Sequence, residues 1–389
     1  MSSQAISESS LFQPLKLGPV TLRNRVIMSA LTRSRSVPTS VPNDVNVEYY
    51  RQRAKGGAGL IVSEGVLVAQ QGTEWPHAPG IWSSEHIEGW KKVTKAVHEE
   101  GGVIYAQLWH VGRVSHPDAP EQKAAGVPVY APSAIAARGG KFRFLPGEPG
   151  YVTPTEIDDP RKLIALYKTA AINAKEAGFD GVELHGANGY LVHQFLDSTS
   201  NKRTDQWGGS VENRSRFGLE VLKELISVWG ADRVAIKLNP TGGYNDVGMS
   251  LEDTLETFRY FVTEADKLKL AYINLVRYVE LMDPTIDGKK RAIPHDIVES
   301  YGPYVKNSLL FLNGGIFPDE GAKLVKDGKA AAISFGFLWI GHPDLAKRIQ
   351  HGKPLHPEKT DFTTLFGVPG GSLEQQKAGY TDYTEEEYN

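Results

Sequence analysis

Cysteine is absent from the 389-residue sequence. This absence excludes disulfide bonds, thiolate metal sites and a cysteine nucleophile, although it does not identify a compartment. A basic excess is also lacking, because 43 Lys and Arg are balanced by 46 Asp and Glu. We therefore expect no nucleic-acid partner, and we assign no metal site.

Long hydrophobic runs are missing as well. No apolar stretch reaches the ~18 residues that a membrane-spanning helix requires, so no membrane partner is expected. The first ten residues, MSSQAISESS, are polar and lack the charged and apolar regions of a secretory signal. We expect residues 1–10 to form a disordered tail and the protein to be cytoplasmic.

The remaining composition, with 40% hydrophobic and 23% charged residues, is typical of a globular protein with one large core. Short apolar runs alternate with longer amphipathic segments. The predicted strands are residues 26–30, 59–62, 103–108, 181–184, 234–238, 271–275, 309–312 and 331–335. The predicted helices are residues 46–55, 84–99, 160–177, 211–228, 251–267, 295–301, 319–326 and 343–350.

Eight strand–helix alternations with uniformly apolar strands predict an α/β fold, a single (β/α)8 TIM barrel over residues 11–360. Residues 11–26, joined through Gly18-Pro19, predict a β-hairpin that plugs one barrel end. A long insert after strand 3, residues 111–153, is rich in Gly, Pro and Ala and is expected to form a small subdomain or lid. Residues 361–389 are expected to form a tail near the barrel mouth.

Three polar side chains, His185, Asn188 and Tyr190, closely follow the fourth predicted strand. Gly186 and Gly189 are interleaved with them and allow the chain to turn sharply, so that the three side chains can converge. His and Asn can donate hydrogen bonds to a polarised oxygen, and Tyr offers a phenolic proton. This set suits a reaction that builds enolate-like charge on a carbonyl oxygen and then protonates carbon.

The sequence HGANGY at residues 185–190, followed by QFLDSTSNKRTDQWGGSVENRSRF at residues 194–217, closely resembles the Old Yellow Enzyme family of flavin-dependent ene-reductases. The resemblance implies tightly bound FMN, with NADPH, or less often NADH, as the transient hydride donor. It implies reduction of the C=C bond of α,β-unsaturated carbonyl compounds. His185 and Asn188 would hold the carbonyl oxygen, flavin N5 would deliver hydride to Cβ, and Tyr190 would protonate Cα.

Further roles follow from the same resemblance. The segment SALTRSR matches the one whose Thr contacts flavin O4, and AQLWHVGR matches the one whose Gln binds the flavin pyrimidine edge. Glycine-rich turns after strands seven and eight can cradle a phosphate with backbone N–H groups. The implied cofactor-binding residues are Ala30, Thr32, Gln107, His185, Lys237, Gly314, Gly315, Gly336 and Phe337. Trp75, Trp109 and Tyr244 would line the substrate mouth, together with His185, Asn188 and Tyr190.

Three positions depart from the family pattern. Lys237 stands where the family usually has an arginine near flavin N1; it keeps the charge but lacks the planar fork. Phe337 stands where an arginine usually pairs with the phosphate, a loss of roughly 1.5–3 kcal/mol unless another donor substitutes. Phe366 replaces a tail tyrosine over the site. Glu64 and Arg277 also end strands, but contact with solvent explains them and they receive no role.

Two other interpretations remain open. A flavin-free barrel could act as an isomerase or lyase with His185 and Tyr190 as acid and base, which Lys237 and Phe337 motivate. A degenerate barrel could be a binding protein without catalysis. No G-x-G-x-x-G segment follows a strand and opens a helix, so a built-in dinucleotide domain is not expected. The protein is expected to be a monomer or a homodimer.

Overall fold

The structure, a computed structural model, describes residues 9–72, 75–140, 142, 145–368 and 370–388. Eight parallel strands close into a barrel, as the sequence predicts. The barrel strands are β1 (Val26–Met28), β2 (Leu60–Leu67), β3 (Ile104–Trp109), β4 (Gly181–Gly186), β5 (Val234–Leu238), β6 (Tyr272–Val276), β7 (Leu309–Asn313) and β8 (Ala332–Phe335). The largest departure from prediction is β2, which continues to Leu67 through a register shift after Val62.

The eight predicted helices are also present. They are α1 (Asp44–Lys55), α2 (Ser84–Glu99), α3 (Arg161–Glu176), α4 (Val211–Trp229), α5 (Leu251–Lys267), α6 (Ile297–Tyr301), α7 (Pro318–Lys326) and α8 (Leu345–Gln350). Ser83, Ser210 and Ser250 begin three of them, because each serine side chain accepts a backbone N–H of the first helical turn. A short helix, Leu191–Leu196, is not predicted because all six of its residues are buried and give no helical periodicity.

The predicted N-terminal hairpin pairs Leu15–Leu17 with Val20–Leu22 in antiparallel register. Its buried leucines share one apolar cluster with residues that begin barrel strands, among them Leu60, Tyr272 and Ala332. These residues lie at the amino ends of their strands. The hairpin therefore seals the amino end of the barrel, which leaves the carboxyl end as the open face.

The insert after β3 contains the short helix Pro120–Ala125 and a strand, Tyr130–Ala131, that pairs in parallel with Thr155–Glu156. Its assignment as a subdomain or lid stays a prediction. The predicted disordered tail falls largely outside the described residues, although Ser9 caps a 3-10 helix at Ser10–Phe12. In the described part of the chain, no helix is long and apolar enough to cross a membrane.

Two buried arginines from the segment after β1 hold the C-terminal tail. Arg33 Nη2 donates to Gly379 O at 2.7 Å, and Arg35 Nε donates to Gln376 O at 2.8 Å. A buried guanidinium group is stable only when its hydrogen-bond partners are in place. These bonds therefore hold the tail segment in one position relative to the segment after β1. The tail is thus fixed against the carboxyl-end segment of β1, on the open side of the barrel.

Glu64 is a correction to the sequence analysis, because it is buried rather than in contact with solvent. Its exposed fraction is 1%, and its carboxylate accepts hydrogen bonds from Arg33 N at 3.0 Å, Ser34 N at 3.2 Å and Tyr50 Oη at 3.3 Å. Burial raises the pKa of Glu64, and the two backbone donors oppose that rise. Glu64 therefore anchors the backbone that carries Arg33 and Arg35.

The hairpin seal makes a stability prediction. Leu17→Ala should lower the free energy of unfolding by about 2–5 kcal/mol, because Leu17 is fully buried at the barrel end. Lys16→Ala is the matched control on the same strand; its side chain is exposed, and the change should stay within about 0.5 kcal/mol. Urea unfolding followed by circular dichroism measures both. Equal unfolding midpoints for the two variants would show that the hairpin seal does not contribute to stability.

Candidate active site

A cleft opens at the carboxyl ends of β1 and of β5 to β8. The cleft has a volume of about 220 Å³. Parallel barrels place their functional residues at this end. Seven residues predicted from the sequence line the cleft: Ala30, Asn188, Lys237, Gly314, Gly315, Gly336 and Phe337. Their roles stay predictions, but their convergence is a property of the fold.

His185, Tyr190 and Trp109 form one aromatic cluster beside this cleft. The His185 and Trp109 rings are stacked, with centroids 6.0 Å apart, and Tyr190 meets both rings edge-on at 5.0 Å. His185 is the register partner of Lys237 on the neighbouring strand. Because Lys237 lines the cleft, the aromatic cluster and the cleft are parts of the same site.

The imidazole of His185 is held neutral. Burial, aided by the positive charge of Lys237, lowers its pKa to about 3. The backbone N–H of Ala187 donates to His185 Nδ1 at 3.3 Å, so the ring proton belongs on Nε2. His185 can therefore donate one hydrogen bond from Nε2 at neutral pH without carrying a charge.

Asn188 is oriented by two polar residues that the sequence analysis did not single out. Thr241 Oγ1 donates to Asn239 Oδ1 at 2.7 Å, and Asn239 Nδ2 donates to Asn188 Oδ1 at 3.1 Å. Each bond fixes which end of the next amide accepts. The amide nitrogen of Asn188 is consequently left as the donating end. The sequence signal that could have identified Asn239 and Thr241 is their position as polar residues just after β5.

The backbone at this turn requires glycine at position 189. Gly189 has φ +69°, and a Cβ there would lie 2.5 Å from Tyr244 O. Asn188 itself has φ +56°, a region that asparagine tolerates better than most residues. The close contact with the backbone of Tyr244 fixes the direction in which the Asn188 and Tyr190 side chains leave the turn.

The floor of the site is a buried polar network around Glu183, another residue not predicted. Gln107 Nε2 and Tyr272 Oη each donate to its carboxylate at 2.7 Å. Burial raises the pKa of Glu183, an effect that Lys237 opposes. Lys237 Nζ in turn donates to Ser29 Oγ at 2.9 Å. Gln107 is thus connected to the floor of the cleft through its bond to Glu183. The sequence signal that could have identified Glu183 is a charged residue inside an apolar strand.

An aromatic wall extends outward from the Trp109 and Tyr190 rings of the His185 cluster. It contains Trp75, Trp109 and Tyr190, together with Tyr151 from the insert and Phe366 from the tail. The ring centroids of Trp75 and Phe366 are 4.0 Å apart. The indole N–H of Trp109 is buried and has no hydrogen-bond partner among the described residues. The wall is mostly apolar and would exclude water from the cluster.

The opposite end of the cleft is formed by the turns after β7 and β8. Gly314 and Gly315 have φ values of +98° and +61°, a conformation that suits glycine. Phe337 is 38% exposed, and its ring meets Phe362 edge-on at a centroid distance of 5.5 Å. Arg277 lines this end as well, so contact with solvent does not fully account for it.

The predicted Thr32 is partly buried and follows Leu31, which lines the cleft. Among the described residues on the lining, Lys237 and Arg277 are cations and none is Asp or Glu. The rest of the lining is glycine, small polar residues and apolar side chains such as Val276 and Met282. This donor set fits a flat, mostly apolar ligand that carries an anionic group, as FMN does.

Comparisons with known proteins agree with this site. Residues 10–356 match the model of the NADH:flavin oxidoreductase / NADH oxidase family. The chain is 40% identical to the NADP-dependent oxidoreductase lnbE of Aspergillus flavus, over 96% of each protein. It is 38% identical to the probable inactive reductase easA of Epichloe festucae var. lolii, over 98% of this chain and 97% of that protein.

The fold is equally close to solved structures. A structure of morphinone reductase in complex with tetrahydroNAD superposes with a TM-score of 0.84 at 37% identity, and the match covers 97% of this chain and 98% of that one. Sequence and structure therefore give the same result over nearly the whole chain. The chain belongs to the NADH:flavin oxidoreductase family, which is the Old Yellow Enzyme family.

Proposed function

We propose that the protein is an FMN-dependent ene-reductase, which uses NADPH to reduce the C=C bond of α,β-unsaturated carbonyl compounds. One observation carries the proposal: a neutral His185 and an oriented Asn188 present hydrogen-bond donors beside Tyr190. Two neutral donors stabilise charge that develops on a carbonyl oxygen. A phenol at the same place supplies the proton that the reduced product needs.

The cleft would hold the cofactor. Backbone N–H groups of Gly314, Gly315 and Gly336 would bind the phosphate, and Lys237 would supply positive charge beside the ring system. Ala30, Thr32 and Gln107 would contact the polar edges of the flavin. When bound, FMN supplies the chemistry of hydride transfer between NADPH and the alkene.

The aromatic wall would receive the substrate. Trp75 and Trp109 of the wall, together with Tyr244 from the chain after β5, would lie against its apolar part. His185 Nε2 and Asn188 Nδ2 would donate to its carbonyl oxygen. These two bonds draw electron density from the alkene and make its β-carbon electrophilic. Tyr190 then gives its proton to the α-carbon. The wall keeps competing water from that proton transfer.

The relatives frame this proposal without deciding it. The name of lnbE describes an NADP-dependent oxidoreductase, which supports NADPH as the donor, whereas easA is described as probably inactive. Family membership alone is therefore compatible with lost activity. The retention of His185, Asn188 and Tyr190 in one site favours an active enzyme over a degenerate binding barrel.

Tyr190→Phe tests the assigned reaction. The change removes only the hydroxyl, so flavin content and flavin reduction by NADPH should stay near the parent values. Reoxidation by an enone should slow by about 10²–10⁴-fold, the usual loss for a general acid. Nitroalkenes, whose reduced anion can leave and be protonated by water, should be spared.

The measurement is anaerobic stopped-flow spectroscopy of the two half-reactions with both substrates. A parent protein that carries flavin yet reduces no enone would overturn the proposal. A parent protein that binds no flavin would favour the flavin-free isomerase or lyase interpretation. A variant that is slow with NADPH but normal with enone would show that Tyr190 is not the proton donor.

The protonation state of His185 gives a second test. Because its pKa is lowered to about 3, the ring should stay neutral across the range of pH 5 to 8 in which an ordinary histidine titrates. The control is His98, whose pKa is raised by its hydrogen bond to Asp180. Long-range ¹⁵N–¹H spectra, assigned with a His185→Asn variant, should show His98 titrating and His185 constant. A His185 midpoint between pH 5 and 7 would contradict the neutral-donor role.

A further inference from the structure

We propose that Arg277, the residue directly after β6, pairs with the phosphate of bound FMN. It would replace the arginine that position 337 lacks. The inference rests on the proposed function. It assigns a cofactor contact to a residue that the sequence analysis left without a role. The chemical partner is a phosphate monoester on the ligand of the cleft.

The position of Arg277 supports this role. Its side chain lines the cleft together with Gly314, Gly315 and Phe337. Arg277 Nε donates to Gly314 O at 3.1 Å, and Nη2 donates to Gly315 O at 3.1 Å. The guanidinium is therefore fixed on the turn after β7, which is where barrels of this class commonly bind phosphate.

The distribution of charge points to the same residue. Phe337 contributes an aromatic ring at this end, packed against Phe362. Lys237, the other cation on the described lining, is buried and bonded to Ser29. Arg277 is consequently the cation at the glycine-rich end of the cleft, and its side chain is 30% exposed. A phosphate in the cradle would have this guanidinium as its charged neighbour.

The guanidinium retains capacity for another bond. An arginine carries five N–H donors, and Arg277 uses four of them, two toward the glycine carbonyls and two toward Glu320 at 2.5 and 3.1 Å. One hydrogen on Nη1 is left. Glu320 also reduces the positive charge that a phosphate would meet, so this carboxylate should weaken phosphate binding.

Two flavins that differ only in the phosphate make the test specific. We expect Arg277→Gln to weaken FMN binding by about 10- to 100-fold, the loss of one charged hydrogen bond. Riboflavin affinity should stay unchanged, because riboflavin has no phosphate. Glu320→Gln should tighten FMN binding several-fold and again leave riboflavin unaffected. Lys326→Gln, an exposed charge on α7, is the control and should change neither affinity.

Affinities are measured by quenching of flavin fluorescence on titration with the full-length chain freed of its flavin. Arg277→Gln with parent-like FMN affinity would overturn the inference. An equal loss of FMN and riboflavin would also overturn it, because Arg277 would then support the turn rather than the phosphate. Parent-like FMN affinity in Glu320→Gln would also count against the inference, because Glu320 would then not compete with a phosphate for Arg277. A parent chain that binds neither flavin would overturn the proposed function itself.

Discussion

Closure of the barrel between β8 and β1 is the constraint on which the site depends. In that pair, Ile333 is the register partner of Val26, and Phe335 is the partner of Met28. Closure brings the chain after β1 beside the ends of β5 and β8, so that Ser29 can accept the hydrogen bond from Lys237. The hairpin seals the opposite end, and Arg33 and Arg35 fix the tail at the open end. Residues far apart in sequence thereby share one cleft.

Burial sets the electrostatics of that cleft. Glu183 lies in the floor of the site, and Lys237 lines the cleft. Burial shifts the pKa of each group toward its neutral form, and the charge of each opposes the shift of the other. Burial, aided by the charge of Lys237, also keeps the His185 imidazole neutral, and the N–H of Ala187 fixes its tautomer. A site that offers neutral donors on one side and cations on the other can bind an oxygen and an anionic cofactor at separate places.

The sequence predicted the barrel, its eight strands and the main helices, because alternating apolar runs and amphipathic segments are local signals. It also predicted the convergence of strand-end residues such as Asn188, Lys237 and Gly314. It did not predict Glu183, which lies inside an apolar strand, or the role of Asn239, which depends on contacts across the sequence. Glu64 was taken as exposed because nothing in the neighbouring sequence satisfies a buried carboxylate. Its three hydrogen-bond donors come from other segments, which only the fold brings to it.

We propose that the cleft holds FMN and that NADPH reduces the bound flavin. The most direct measurement is an anaerobic absorbance titration of the purified full-length protein, with the released cofactor identified by chromatography. We expect equimolar FMN, bleaching of its absorbance by NADPH, and recovery of the absorbance when an enone is added. FAD as the released cofactor, or no flavin even after reconstitution with excess FMN, would contradict it.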